Sequence, residues 1–152
     1  FQKGLIDNVS CIAEYSNDLN CNIWYSKVSI GKTNGLKIQV FGESGSVEWF
    51  QMDPESLIFT DRFGNQSNIQ RSSSNVEIAS DLRYNRFKAG HPAGFIEAFA
   101  NYYYDLADAL ENFKKTNIMN SQWIFDDEHA LEGLKMMSAI NLSSETSKWV
   151  NI

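Results

Sequence analysis

The sequence predicts an α+β domain, a largely antiparallel β meander followed by two main helices packed on one face of the sheet. Three observations support this. Apolar and polar residues alternate at a period of two through the first half of the chain. Past Phe95 the apolar period changes to three and four. Short clusters of Gly, Asn, Asp and Ser punctuate the first half at the intervals a meander needs.

Val9, Cys11, Ala13 and Tyr15 alternate with Ser10, Ile12 and Glu14, and Ser16-Asn17-Asp18 then makes a turn. Leu19, Cys21, Ile23 and Tyr25 continue as the returning strand. After punctuation by Gly31 and Gly35, Leu36, Ile38 and Val40 resume the alternation up to the turn Gly42-Glu43-Ser44-Gly45. Val47 and Trp49 mark a fourth strand, Asp53-Pro54-Glu55-Ser56 a turn, and Leu57 to Thr60 a fifth. Weaker alternation predicts further strands at Asn68 to Arg71 and Val76 to Leu82, with a polar loop between them.

Phe95, Phe99, Tyr102, Tyr103, Leu106, Leu110 and Phe113 form one apolar stripe of a long helix and are expected in the core. Glu97, Asn101, Asp105, Asp108, Glu111 and Lys115 take the wet side. The acids come early, and Lys114 and Lys115 late, as the helix dipole favours. Pro92 fits the start of this helix, since its fixed φ suits the first turn. At least two of Tyr102, Tyr103 and Tyr104 are expected to face inward. Beyond a connection, Trp123-Ile124-Phe125 reads as a short extended run, and Asp126 as the N-cap of a second helix. That helix should bury Ala130, Leu131, Leu134, Met137 and Ile140.

The chain has 152 residues, 43% hydrophobic and 21% charged, which fits one ordinary globular domain over residues 1–152. A net charge of −6 without Lys/Arg clusters argues against nucleic acid as a partner. No apolar run approaches the roughly 20 residues needed to cross a bilayer, so no membrane role and a cytoplasmic location are expected. The opening Phe1-Gln2-Lys3-Gly4 has no initiator Met, as expected of a piece of a longer protein. Cys11 and Cys21 are the only cysteines. They read as reduced thiols on neighbouring strands, with a bridge left open only if the register places them opposite each other. Neither CxxC nor HxxxH spacing occurs, so no metal is expected.

The sheet face away from the helices carries Trp24, Phe41, Phe50 and Met52 among polar residues, and is expected to mediate self-association. Gly42-Glu43-Ser44-Gly45 joins two strands and opens no helix, so it does not read as a nucleotide cradle. No Walker loop, GxSxG or HExxH motif exists. His91, in a Gly-rich loop before the long helix, is either a ligand-facing residue or a loop-ordering one. Arg86 either holds an acidic or hydroxyl-rich ligand or pairs with a nearby acid.

Two ordered blocks resemble a known family. Gly31 through Trp49, read as GKTNGLKIQVFGESGSVEW, resembles the strand-turn-strand block of Gfo/Idh/MocA oxidoreductases. Arg86, followed by Ala89-Gly90-His91-Pro92-Ala93-Gly94-Phe95-Ile96-Glu97-Ala98-Phe99-Ala100-Asn101, resembles the loop and helix of its sugar- and cyclitol-dehydrogenase-like members. Lys88 and Ala93 depart from that pattern, where relatives often carry Pro and Glu.

The resemblance implies a parent enzyme with an N-terminal Rossmann domain that binds NAD or NADP and a C-terminal α+β domain that shapes the substrate cleft and subunit interface. Its substrate would be a sugar or polyol, oxidised from secondary alcohol to ketone. The catalytic lysine of the family's Glu-Lys-Pro motif and its Asp-x-x-x-His helix have no match here, so no catalytic or cofactor-binding residue carries over. His91 and Arg86 stand as substrate-cleft candidates. On this basis the chain is not catalytic alone and binds no cofactor itself. The alternative is a stand-alone, non-enzymatic ligand-binding or assembly module of the same fold.

Overall fold

The computed structural model describes residues 6–74, 76–77, 81–88, 90–119 and 121–152. The elements are β1 (Asn8–Glu14), β2 (Asn20–Ser26), β3 (Lys37–Gly42), β4 (Gly45–Phe50), β5 (Ser56–Asp61), β6 (Gln66–Gln70), a 3₁₀ turn (Leu82–Tyr84), α1 (Phe95–Thr116) and α2 (Asp127–Thr146). The α+β class follows directly. The strands divide into two antiparallel sheets, β1-β2 and β3-β4-β5-β6, where a single meander was expected. A local turn lies between β2 and β3. Gly31 takes a left-handed φ of 81°, and Lys32 N–H turns back to the Ser29 carbonyl at 3.1 Å. The chain therefore loops there instead of making a tight hairpin. The chain forms two compact units, one from Phe1–Lys32 and Phe125–Ile152, the other from Thr33–Ile124.

In the first unit β1 and β2 pair Val9 with Tyr25, Cys11 with Ile23 and Ala13 with Cys21. The period-two pattern holds: Val9, Cys11, Ala13, Cys21 and Ile23 are buried or half-buried, while Ile12 and Trp24 on the other face are exposed. Both cysteines are free, and Cys11 opposes Ile23 and not Cys21. α2 starts as expected, with the Asp126 carboxylate accepting the His129 N–H at 3.1 Å. Its expected stripe does not hold. Leu131, Leu134 and Met137 are exposed, and the half-buried positions are Met136, Ala139, Ile140 and Ser143, one strip round the helix.

In the second unit the register pairs Ile38 with Trp49, Trp49 with Leu57 and Leu57 with Ile69. One face is therefore apolar. Lys37, Gln39, Glu48 and Ser46 share the opposite face with Phe41, Phe50 and Ile58. Glu43 and Ser44 make the two-residue connection between the paired Gly42 and Gly45. Gly45 has φ 152°, and a Cβ there would lie 2.3 Å from the Thr60 carbonyl oxygen, so the strands approach too closely for any side chain. Asp61 shapes the next turn, its carboxylate accepting the N–H groups of Phe63 at 2.8 Å and Asn65 at 2.9 Å. The expectation of a strand over Val76 to Leu82 falls partly on Ile78, Ala79 and Ser80, outside the described residues. Of its described positions, Glu77 lies in a turn and Leu82 opens the 3₁₀ turn. Trp123 and Ile124 lie in a bend, not an extended run.

α1 corrects the sequence expectation in two ways. It begins at Phe95 with Gly94 as N-cap, so Pro92 precedes the helix, and the Glu97 carboxylate accepts the Gly94 N–H at 2.7 Å. Its aromatic stripe is exposed, Phe95 and Phe99 included, as are all of Tyr102, Tyr103 and Tyr104. The residues it buries are Asp105 and Ala109, on the side assigned to water. An ion pair described below draws that side inward. The exposed rings pack on one another instead, Phe95 against Phe99 at 4.7 Å and Tyr102 against Tyr103 at 5.7 Å between centroids.

Candidate functional site

The segment from the 3₁₀ turn to α1 carries both candidates named from sequence. At its start Asp81 caps the turn, its carboxylate accepting the Arg83 N–H at 3.3 Å. Gly90 turns the chain with φ 85°, and the His91 N–H donates to the Lys88 carbonyl at 3.1 Å. The ring follows the backbone, with His91 Nδ1 3.2 Å from that same carbonyl oxygen. A carbonyl only accepts, so Nδ1 donates in this contact, and Nε2 is the ring nitrogen it does not engage. His91 is exposed.

Arg86 donates to the Asn101 side-chain carbonyl on α1. It also lines a cavity of about 490 Å³ with Arg83, Tyr104, Asp108, Asn112 and Trp123. His91 does not line that cavity, so the structure separates the two candidates. Of the two alternatives for Arg86, the pairing with a nearby acid is not what this hydrogen bond makes, since it goes to a neutral amide.

The cavity rests on an interaction the sequence did not reveal. Arg83 Nη2 donates to the Asp105 carboxylate at 2.7 Å, and its guanidinium lies 4.4 Å from the Trp123 ring centroid. The side chains are 14% and 9% exposed. Burial, the largest single effect, works against the Arg83 charge, but the Asp105 hydrogen bond together with the fields of Tyr84, Asp105 and Asp81 outweighs it and raises the Arg83 pKa above its ordinary value. No local pattern signals this pair, because its members stand 22 residues apart.

A second missed pair, Glu55 and Arg71, joins at 2.8 Å. A signal for it existed. The two flank the β5–β6 hairpin at mirrored positions with opposite charge.

On the polar sheet face Lys37 meets Glu48 at 3.0 Å, and this hydrogen bond chiefly lowers the Glu48 pKa. Phe41 and Phe50 share that face, and Met52 follows β4. All three are exposed, as is Trp24, which belongs to the other unit and donates from Nε1 to Asn8.

Among the described residues no group of three His, Cys, Asp or Glu could hold a metal ion. No helix among them is long and apolar enough to cross a membrane. The one Gly-x-x-Gly turn opens no helix, and at the α1 N-terminus the Gly94 N–H is already bonded to Glu97.

Residues 2–152 match the profile of an oxidoreductase family's C-terminal alpha/beta domain, GFO_IDH_MocA_C. An uncharacterized oxidoreductase, YfiI, of Bacillus subtilis is 25% identical over 149 residues, 96% of this chain and 38% of that protein. The chain thus spans about two fifths of that relative. The structure of an inositol dehydrogenase homolog complexed with NAD+ from Azotobacter vinelandii superposes with a TM-score of 0.86 at 27% identity, covering 96% of this chain and 38% of its own. An inositol dehydrogenase homolog complexed with NADH and myo-inositol, from the same organism, superposes at 0.68 with 31% identity, covering 73% and 29%. With the whole-length family match, the two sheets and the two helices all in agreement, this chain belongs to the Gfo/Idh/MocA oxidoreductases as their C-terminal alpha/beta domain.

Proposed function

We propose that this chain is the substrate-cleft and subunit-interface domain of an NAD(P)-dependent oxidoreductase that converts a sugar, polyol or cyclitol secondary alcohol to a ketone. The supporting observation is the 31% identity to an inositol dehydrogenase homolog complexed with NADH and myo-inositol. The nicotinamide, held by a separate Rossmann domain, would accept the hydride.

What this chain's residues contribute is recognition of hydroxyl groups. His91 Nε2, the ring nitrogen turned away from the Lys88 carbonyl, hydrogen-bonds a substrate hydroxyl. The Arg86 guanidinium has donors left after its bond to Asn101 and offers them to hydroxyl oxygens.

The test has two arms. Titrating this chain alone with NADH should leave nicotinamide fluorescence unchanged, and saturable micromolar binding would contradict the division of labour. In the whole protein, His91→Ala should raise KM for the polyol about tenfold, the worth of one lost hydrogen bond, with KM for the nicotinamide unchanged. Absence of any polyol oxidation by the whole protein would favour the non-enzymatic module.

A further inference from the structure

We propose that Glu55 and Arg71 are positioning residues, which act as one ion pair to hold the main chain of the His91 loop and thereby set where the imidazole presents Nε2. The pair originates in strand register. β5 and β6 pair Ser56 with Gln70, so the next residues outward face each other, and the Arg71 N–H donates to the Glu55 carbonyl at 2.8 Å. An ordinary cross-strand pair would stop there.

Here both side chains reach further. Arg71 Nε donates to Glu55 Oε2 at 2.8 Å, Nη1 donates to the Tyr84 carbonyl, and Nη2 approaches the His91 carbonyl at 3.5 Å. The second carboxylate oxygen, Glu55 Oε1, accepts the Ala93 N–H at 2.8 Å. The loop is therefore held before its start, at His91 and at Ala93, by groups anchored to the sheet. The Arg71 and Glu55 side chains are only 16% and 22% exposed, so water competes poorly for these bonds.

The residue types fit the task. A guanidinium offers donors in a fixed planar fork, which a lysine cannot reproduce. A carboxylate can bind that fork through one oxygen and an amide through the other. The loop needs such a clamp, because glycines stand at positions 90 and 94 and, among the described residues, the His91 ring is hydrogen-bonded to the Lys88 carbonyl alone. That a fixed Nε2 matters for catalysis rests on the proposed function; that the pair orders the loop does not.

Hydrogen exchange on the whole protein tests the clamp. Arg71→Met should speed exchange at the His91 and Ala93 amides on the order of tenfold while β4 is unaffected. Arg71→Lys, which keeps the charge and loses the fork, should fall between. In kinetics Arg71→Met should raise KM for the polyol while KM for the nicotinamide stays constant. Unchanged exchange at both amides, or an equal rise across β4, would overturn the proposal. Should Arg71→Met fail to fold, Arg71→Lys and Glu55→Gln decide it by the same amides. A null result for His91→Ala alongside faster loop exchange would remove the substrate role of His91 and leave the clamp standing.

Discussion

Asp105 is 8% exposed in the middle of a helix whose aromatic neighbours are in water. Periodicity cannot anticipate this, because a carboxylate counts as polar until its partner is known, and Arg83 comes from a distant turn. Once paired, the two charges and the Trp123 ring draw the Asp105–Ala109 side inward. Asp105→Ala should destabilise the protein by about 3 kcal/mol, chiefly by leaving Arg83 buried and unpaired. Urea unfolding measures it, and a loss below about 1 kcal/mol would mean that the guanidinium escapes to solvent. Arg86 and His91 show the limits of residue-level reading from the other side. Both were identifiable from their loop, yet their separation depends on Gly90 and on Asn101, which composition does not rank.

Elements were more legible than side-chain partners. The α2 N-cap was readable because Asp before an acidic first turn satisfies free N–H groups through local chemistry alone. The hairpins were readable because alternation and turn residues are also local. The splitting of the strands into two sheets was not, since alternation marks strands without saying which of them pair. The α2 cap has a pH dependence with a defined sign. The hydrogen bond from His129 Nδ1 at 2.6 Å is the first cause of the lowered Asp126 pKa and of the raised His129 pKa. The Asp126 contribution is present above its ordinary 3.8 and lost as pH falls through the lower folded value. The His129 contribution is present below its ordinary 6.5 and lost as pH rises through the higher folded value. Thermal stability should therefore be greatest between these values, and His129→Ala should flatten the decline on the alkaline side. An NMR titration placing the His129 midpoint at or below 6.5 would contradict it.

At the scale of the molecule the family was legible because two blocks of sequence occur in order, and one of them includes a glycine that the structure shows to be sterically required. The exposed Phe41, Phe50 and Met52 bear on assembly, as does Trp24 in the first unit. If the β3–β6 face joins subunits, Phe41→Asp should lower the mass of the whole protein in light scattering, because a carboxylate would have to be buried beside Glu48. An unchanged mass would locate any interface elsewhere. The β1–β2 register has a further consequence for refolding. Cys11 and Cys21 lie diagonally, two positions out of alignment on one face. A slip of two residues keeps every side chain on its own face and brings the thiols directly opposite. Oxidation during refolding would capture that misaligned hairpin covalently. Recovery of native protein should therefore be higher with a reductant than with air, and Cys21→Ser should abolish the difference.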